Sequence, residues 1–317
     1  GVVGSVRGGA GQGALQVRSR RSAGDRRVWL PSANLALELG PGRLLRLAAS
    51  RTITRPSLAD LRSATVPAST LVSNIYDRGQ AEIEDPSPGT ISPGVGGNPE
   101  LKPYLSTNLD LSWEWTFSRG GFSVALFHKS IDDFILTVEA PEQLVFETRA
   151  GPPVTAEIMM ARPRNVGEAT IQGLELGFHH RLRSGLGLWA SATWTDANAS
   201  DREGHERRDL AGASRFSYTL NPFFEKGSFA ANVAWSWRSA SRPEADMQGG
   251  GVSSFVVAPA GYLDAQASWD LSPTAQIVVA ASNLTDTTDL AYEGDRERLL
   301  QLGRAGRSVL VSLRWSL

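Results

Sequence analysis

The residues best able to do chemistry in this chain are few, and their spacing does not suit it. The four histidines, His128, His179, His180 and His205, show neither the HExxH pattern nor another metal-ligand spacing. His179 and His180 are neighbours, so on a strand their side chains point to opposite faces and cannot bind one ion. We therefore expect no metal site.

Two further motifs only imitate a site. Gly94-Val95-Gly96-Gly97 resembles a phosphate-binding loop, but no lysine follows at P-loop spacing and no helix is predicted after it. Asp132 and Asp133 could suggest paired carboxylates, yet neighbours on a strand point apart, so we interpret them as the mouth of a strand. The chain has no cysteine, which excludes disulfides, thiolate metal sites and a cysteine nucleophile. We expect no enzyme and no cofactor.

The bulk composition is balanced. Of the 317 residues, 41% are hydrophobic and 21% are charged, and the formal net charge is −1, which argues against nucleic acid as a partner. These values suit a soluble protein, but they also suit a membrane barrel, whose strands alternate lipid-facing apolar and lumen-facing polar residues. No run approaches the roughly 20 apolar residues of a membrane-spanning helix. No signal peptide opens the chain, so in a barrel protein we expect the N-terminal part of the parent to be missing.

Strict alternation of apolar and polar residues is the dominant pattern, and its clearest instance is Tyr104–Phe117. Leu109, Leu111 and Trp113 lie on one side of this segment, and Asn108 and Asp110 lie on the other. Fourteen residues span roughly 46 Å as a strand, which is long for a soluble protein. A strand tilted through a bilayer needs about 9–11 residues in the hydrocarbon.

Alternation of this kind predicts eleven strands. In the fifth of them, Gly173 shifts the phase of the pattern, which predicts a β-bulge. The eleven segments are Ser32–Leu39, Leu44–Ile53, Tyr104–Phe117, Phe122–Ile135, Thr170–Leu182, Leu186–Thr195, Phe216–Phe224, Phe229–Arg238, Tyr262–Leu271, Ala275–Asn283 and Ser308–Leu317.

The connections between these strands alternate in length. Short polar turns follow every second strand, and residues 54–103, 136–168, 196–213, 239–260 and 284–306 form long connections between them. This rhythm is typical of a membrane barrel with tight periplasmic turns and long outer loops. Trp113 and Trp115 precede a short turn, and Trp235 and Trp237 precede a long loop, which favours aromatic girdles at both interfaces. We predict an all-β fold, an antiparallel transmembrane β-barrel in contact with outer-membrane lipid.

The last strand ends the chain on its apolar phase, at Leu317. Outer-membrane proteins commonly end in this way, with an aromatic or apolar residue that the barrel-assembly machinery reads. The more usual terminal residue is phenylalanine. We expect this machinery to be a partner.

Four stretches resemble motifs of the TonB-dependent outer-membrane receptors. Each motif alone is weak, but the four occur in the family's order and spacing. They are Ala49-Ser50-Arg51-Thr52-Ile53-Thr54-Arg55-Pro56, Gly97-Asn98-Pro99-Glu100-Leu101-Lys102-Pro103, Asn165-Val166-Gly167-Glu168-Ala169 followed by Gly173-Leu174-Glu175, and Ser282-Asn283-Leu284-Thr285-Asp286. We interpret Pro56, Pro99 and Pro103 as punctuation of strands, because proline lacks an amide donor.

The resemblance implies a barrel of about 22 strands with a plugged lumen, of which about eleven are present. Residues 29–317 would be the C-terminal part of the barrel, without the plug and without the segment that contacts the TonB complex. Residues 1–28, rich in glycine and arginine, stay unassigned: they could be a degenerate strand and loop or a mis-called start. In a plugged barrel, Asp110, Glu114, Glu175 and Arg238 would face the lumen. We favour the interpretation that they are solvated or form salt bridges with the plug, over the alternative that they lie on the transport path.

Three functions fit these patterns. The first is active uptake across the outer membrane of a Gram-negative bacterium, energised through TonB, of a scarce nutrient such as a ferric siderophore, a vitamin or an oligosaccharide. The second is a passive porin-like β-barrel channel. The third, which we favour least, is a soluble all-β module that binds carbohydrate. The ligand-contacting residues cannot be read from the sequence.

Overall fold

The computed structural model describes residues 28–63, 65–66, 94–146, 151–201, 207–210, 212–242 and 255–315. In these ranges the chain forms strands joined by turns and loops. No helix in the described ranges is long and apolar enough to span a membrane. The strands are β1 (Ser32–Gly40), β2 (Arg43–Thr54), β3 (Thr65–Val66), β4 (Gly94–Gly96), β5 (Tyr104–Phe117), β6 (Gly120–Phe146), β7 (Val154–Arg181), β8 (Leu186–Asp201), β9 (Arg207–Asp209), β10 (Phe216–Lys226), β11 (Phe229–Arg238), β12 (Phe255–Val257), β13 (Ala260–Ser272), β14 (Ala275–Ser282), β15 (Asp289–Glu293), β16 (Leu299–Gly303) and β17 (Ser308–Trp315).

Eleven of these strands form one continuous meander. Each pairs antiparallel with the next, in the order β1-β2-β5-β6-β7-β8-β10-β11-β13-β14-β17. The three short strands β3, β4 and β9 attach beside this path. An up-and-down antiparallel sheet of this length is the wall of a barrel. The eleven predicted strands and the all-β fold class are confirmed.

The register of this sheet separates two faces. On one face, leucines and aromatic residues of neighbouring strands stand directly opposite one another, and we call this the apolar face; the other is the polar face. A slip of one residue in any pair would move an apolar side chain to the polar face. The clearest row of the apolar face is Leu35, Leu47, Leu111, Leu126, Leu174, Trp194 and Phe216.

The apolar face is exposed. Leu109, Trp269 and Trp315 keep 52%, 57% and 68% of their accessible surface. Full burial of one such side chain is worth about 1.5–3 kcal/mol, and a sheet in water would forgo this stabilisation along a whole face. A bilayer would supply the apolar environment that such a face lacks in water. The exposed face therefore speaks against the soluble carbohydrate-binding module.

Aromatic side chains cluster at both ends of the apolar face, as predicted. At the end nearest the long connections, Phe216, Tyr218 and Trp237 pack with ring centroids 5.6–6.1 Å apart, and Trp235 Nε1 donates a hydrogen bond to the Tyr218 hydroxyl at 3.1 Å. At the other end, the rings of Trp115 and Phe117 lie 5.0 Å apart. We call the end with the long connections the outer end.

The short turns between strands depend on glycine at two positions. Gly42 joins β1 to β2 with φ +68°, and an added Cβ would lie 2.1 Å from the Thr116 carbonyl oxygen. Gly185 joins β7 to β8 with φ +96°, and its Cβ would lie 2.3 Å from the Glu225 oxygen. At both turns the neighbouring strand passes too close for a side chain, so these turns are built only with glycine.

The largest difference from the sequence-based expectation concerns residues 136–168, which were expected to form a loop. The structure continues β6 to Phe146 and begins β7 at Val154, so most of this range is a long hairpin. One face of the hairpin buries alternate residues, Ala156, Ile158 and Met160. The prolines and charged residues of the hairpin dilute this alternation in the sequence, which is why the pattern was missed.

Two local expectations about β6 and β7 are also wrong. Asp132 and Asp133 lie inside β6 rather than at the end of a strand. A register shift between Ile131 and Phe134 forms a bulge at this point, and Asp133 adopts φ +58°. Gly173 does not form a bulge, because its pairing is continuous. It makes room instead: an added Cβ would lie 2.5 Å from the ring of Phe127.

The long connections of the C-terminal strands carry their own structure. Residues 239–260 contain β12, and residues 284–306 contain β15 and β16; these three strands pair antiparallel as a separate small sheet. We call it the outer sheet. Two connections that are distant in sequence thus form one body at the outer end of the wall. The Gly94-Val95-Gly96 stretch is strand β4, which pairs parallel with β7 and is no phosphate loop.

Candidate functional site

The four charged candidates lie on the polar face, but they form no common cluster. Glu175 and Arg238 belong to one row of the register, separated by β8 and β10, which places their strands about 14 Å apart. Glu114 forms an ion pair with Arg46 of β2, and Asp110 lies between β2 and β6. We propose that all four residues face the lumen of a complete barrel.

Arg238 takes part in a polar contact between the wall and the outer sheet. The Tyr262 hydroxyl donates a hydrogen bond to Asp289 Oδ1 at 2.5 Å, and Arg238 lies 3.6 Å from the same oxygen. Arg238 also donates to the carbonyl of Ala258 at 3.4 Å. Because Asp289 belongs to β15, these contacts tie the outer sheet to β11 and β13.

Asn165 joins three chain segments at the base of the β6–β7 hairpin. Its Oδ1 accepts a hydrogen bond from the Lys102 amide at 2.7 Å, and its Nδ2 donates to the Lys102 carbonyl at 2.8 Å. The same Nδ2 donates to the Asp133 carbonyl at 2.8 Å. Asn165 thus pairs with the segment before β5 as a strand would, and it caps the bulge of β6.

The guanidinium of Arg162 makes a second connection nearby. Its Nε lies 2.8 and 2.9 Å from the two carboxylate oxygens of Glu142, and its Nη1 donates to the Gly97 carbonyl at 2.8 Å. Both side chains of the ion pair are about four-fifths buried, so water screens this pair less than a surface pair. A Cβ on Gly96 would lie 2.3 Å from the Arg162 guanidinium, so a side chain at this position would displace the guanidinium from its present contacts.

Asn98 completes this set of contacts. Its Nδ2 donates to the Pro163 carbonyl at 3.1 Å, and its Oδ1 accepts from the Glu100 amide at 3.0 Å. We call Asn98, Glu142, Arg162 and Asn165 the hairpin clamp. Two of the resembling motifs, which begin at Gly97 and Asn165, thus meet in space. The prediction that Pro103 marks a strand boundary is confirmed, since β5 begins at the next residue.

The Asn283 motif builds a similar turn at the outer end of β14. Asn283 has φ +51°; its Oδ1 accepts from the Thr287 amide at 2.8 Å, and its Nδ2 donates to the carbonyls of Thr287 and Gly306, both at 3.1 Å. Arg304 donates to Asp286 Oδ2 at 2.5 Å. This hydrogen bond holds the pKa of Asp286 below its ordinary value.

Two cavities border the described wall, one beside the middle of its strands and one at the outer end. A groove of about 740 Å³ is lined mostly by residues of the apolar face, among them Leu47, Leu109 and Trp194. A polar cavity of about 320 Å³ lies between β8, the segment before β10 and the outer sheet, and Asp196 and Arg215 line it. Of the four charged candidates, Asp110 borders the groove, and the other three line neither cavity.

Two of the three described histidines, His179 and His180, have aromatic neighbours. His179 stacks on Trp189 with ring centroids 4.7 Å apart, and His180 lies 5.6 Å from the ring of Phe117. His205 lies outside the described residues. Within the ranges that the structure describes, no three of His, Cys, Asp and Glu come together in a group that could hold a metal ion.

The hairpin clamp and both cavities are not predicted by any pattern in the sequence. Asn98 and Asn165 lie in the resembling motifs and Arg162 lies three residues before one, so the motifs were a signal, although their prolines were interpreted as strand punctuation only. Glu142 lies in the stretch expected to be a loop, and no sequence pattern points to it as the partner of Arg162. The cavities depend on the register of strands that are distant in sequence.

The comparison with protein families matches residues 5–284 to the TonB dependent receptor-like β-barrel family. The match runs through most of residues 1–28, whose sequence pattern predicts no element and of which the structure describes only the last residue. An iron-regulated outer membrane virulence protein of Vibrio cholerae is 28% identical over 228 residues, which are 68% of this chain and 32% of the relative. The chain thus spans about a third of the length of the curated relatives it matches.

Solved structures share the fold. The ferric enterobactin receptor of Pseudomonas aeruginosa has a TM-score of 0.63 at 19% identity, with 92% of this chain and 40% of that chain covered. A siderophore receptor of Acinetobacter baumannii has a TM-score of 0.63 at 16% identity, with 92% and 41% covered. A copper transporter has a TM-score of 0.60 at 17% identity, with 91% and 39% covered.

These findings place the wall in the outer membrane of a Gram-negative bacterium. Since the family match covers most of the chain, the chain belongs to the TonB-dependent receptor β-barrel family.

Proposed function

We propose that this chain forms the C-terminal part of the barrel of an outer-membrane receptor that takes up an iron(III)–siderophore complex. The observation that carries the proposal is the relationship to the iron-regulated protein of Vibrio cholerae within a family of transport receptors. Two of the solved structures that share the fold are also siderophore receptors. The whole receptor's activity, its energising by TonB and its ligand belong to this proposal.

The architecture supports such a role because the outer end of the wall carries two firmly attached bodies. The hairpin clamp fixes the β6–β7 hairpin through Asn165 and the ion pair of Arg162 with Glu142. Contacts of Arg238 and Tyr262 with Asp289 fix the outer sheet. A receptor that selects a ligand from dilute solution gains affinity when its outer elements are ordered before binding, since less conformational entropy is lost on binding.

The polar face supplies the inner surface of the proposed transport path. Asp110, Glu114, Glu175 and Arg238 would line it, each separated from the others. Spread over the wall, they suit contact with a plug or with water better than a single ligand site. We therefore propose that ligand choice lies with the outer elements, and that these four residues face the interior of the complete barrel.

The test compares a host strain from which the gene that encodes this chain has been deleted with the same strain after the gene has been restored. Cells starved of iron receive a panel of ⁵⁵Fe complexes of catecholate, hydroxamate and carboxylate siderophores, and vitamin B12 and maltodextrins serve as competing classes. The proposal expects that deletion abolishes accumulation from at least one ferric siderophore and that the restored gene recovers it. Unchanged accumulation from all of them, with loss of vitamin or sugar uptake, would assign another substrate.

A passive channel is separated by liposome swelling. Liposomes that contain the purified gene product should not admit small sugars unaided, because a plugged lumen leaves no open pore. Rapid swelling in arabinose or raffinose, at rates close to those of a general porin, would contradict the receptor proposal and indicate a passive channel.

A further inference from the structure

One large aromatic residue lies on the polar face of the wall. Trp189 precedes Trp194 of the apolar face by five residues in β8, and residues an odd number apart on a strand point to opposite faces. Trp189 keeps 55% of its accessible surface. Its neighbours in the register are Gly121, His179 and Asn221. Because the apolar face is the one that suits lipid, Trp189 cannot serve as a membrane anchor, and its exposed ring requires another explanation.

Two further rings lie on the same face beside Trp189. His179 of β7 stacks on it with ring centroids 4.7 Å apart and an angle of 16° between the ring planes. Phe223 of β10 stands opposite Gly187, which precedes Trp189 by two residues. We call His179, Trp189 and Phe223 the aromatic floor. It extends over three neighbouring strands, which is about 10 Å across.

Two glycines let rings of the aromatic floor lie against the wall. A Cβ on Gly121 would lie 2.7 Å from the His179 ring, and a Cβ on Gly187 would lie 2.1 Å from the Phe223 ring. Each ring therefore occupies the space that a side chain of the neighbouring strand would fill. Glycine inside a strand weakens the strand and often marks a place where a ligand or another backbone approaches closely. The floor is thus low and flat, which suits the close approach of a second surface.

Polar groups lie on both sides of the aromatic floor. On the side of the short turns, Arg181 and Glu225 form an ion pair at 3.0 Å, and about half of each side chain is exposed. On the outer side, Ser191 stands opposite Thr219. An aromatic centre with a polar rim is the usual composition of a protein–protein interface. Neither of the two cavities that border the described wall includes a residue of the floor. Since small ligands bind in concave sites, the floor suits a protein surface rather than a small molecule.

The position of the aromatic floor limits which protein can reach it. Trp189 is the fourth residue of β8, so it lies about 10 Å along the strand from the short turn that precedes it. In a closed barrel the polar face is the inner surface, and only a partner inside the lumen covers a surface at this depth. We propose that the aromatic floor is the seat of a folded domain that fills the lumen of the proposed receptor, with apolar side chains of that domain on Trp189 and Phe223. This inference rests on the proposed function and adds to it the wall surface that holds the plug.

The test maps what lies on Trp189 in the whole gene product that contains this chain. The photoreactive residue p-benzoylphenylalanine replaces Trp189 in cells, the intact outer membrane is irradiated, and cross-linked peptides are identified by mass spectrometry. We expect a cross-link to a peptide of the same polypeptide that lies outside residues 1–317. The same replacement of Trp194, which is 43% exposed on the apolar face, is the matched control and should not yield this peptide.

Hydrogen exchange in nanodiscs then measures how firmly the floor holds that peptide. Its amides should exchange roughly 30-fold faster in Trp189→Ala, as the loss of a central aromatic anchor implies, and at the unaltered rate in Trp194→Ala. Phe223→Ala repeats the measurement from a neighbouring strand, and heat-modifiable migration on gels checks that each variant folds.

Three results would overturn the seat while leaving uptake and the proposed function intact. They are a lumen domain that gives no cross-link from position 189, the same peptide from position 194, and equal exchange of the peptide in Trp189→Ala, Phe223→Ala and Trp194→Ala. Cross-linking to a separate protein would overturn the seat as well. A gene product without a domain in its lumen would contradict both the seat and the proposed receptor.

Discussion

Replacing Asn165 by alanine should loosen the outer end of the wall without unfolding it. The side chain makes three hydrogen bonds, two with the Lys102 backbone and one with the Asp133 carbonyl. Alanine removes all three and adds no bulk. We expect the segment before β5 and the bulge of β6 to separate locally, while the remaining strand pairs of the wall stay formed.

The magnitude follows from the surroundings of each bond. A typical intramolecular hydrogen bond contributes about 1 kcal/mol net. The bonds to Lys102 are exposed, so water replaces part of their strength, whereas the bond to the Asp133 carbonyl is partly buried. We expect a total loss of about 2 kcal/mol, which corresponds to roughly 30-fold faster local opening.

Hydrogen exchange reads this opening directly, because the Lys102 amide donates to Asn165. Exchange measured by mass spectrometry on the gene product in nanodiscs should accelerate roughly 30-fold at Lys102, with no change in β13 and β14. Gln143→Ala is the control: it removes another side-chain amide of the same hairpin, whose single exposed bond goes to Glu157. If exchange at Lys102 is the same in both variants, the clamp does not hold this segment.

Three further changes test the register, the faces and a turn. Gly173→Val should prevent correct assembly, because a Cβ at this position would lie 2.4 Å from the Trp194 carbonyl oxygen. Gly303→Ala is the control and should be tolerated, because the nearest atom to its Cβ would lie at 3.7 Å. Heat-modifiable migration on gels compares the two variants, and normal migration of Gly173→Val would contradict the register. Val233→Arg on the apolar face should lower the free energy of unfolding by about 2–4 kcal/mol, as measured by denaturant titration in liposomes. Ala234→Arg on the polar face should lower it much less. Equal losses in the two variants would contradict the assignment of the faces. Since the hydrogen bond from Arg304 lowers the pKa of Asp286 in the folded state, its contribution is present above the ordinary pKa of aspartate and is lost as pH falls through the lowered value. Protection of the Asp286 turn should therefore drop in acid in the native protein, and Asp286→Asn should remove this pH dependence; an unchanged pH profile would refute the pair's role.

The wall could be predicted from sequence because its physical cause is local. In β5, Leu109, Leu111 and Trp113 alternate with polar residues, and this pattern needs no information from other strands. The same logic failed for the β6–β7 hairpin, where only the part from Val154 to Met160 alternates cleanly and the charged stretch around Glu142 hides its partner strand.

Contacts between distant segments could not be predicted. The pairing of Arg162 with Glu142, and of Asn165 with the Lys102 backbone, depends on a bulge at Asp133 that no local signal marks. The phase shift at Gly173 was misinterpreted for a related reason: glycine there accommodates the ring of Phe127, which belongs to the neighbouring strand. Such positions become readable only when the register is known.

We propose that this wall belongs to a receptor that moves its ligand actively. Accumulation of the ⁵⁵Fe complex recognised by the gene product should be measured in host cells with and without a functional tonB gene, alongside surface binding at 0 °C. We expect equal surface binding in both strains and accumulation only where TonB is functional. Equal accumulation in the two strains would contradict it.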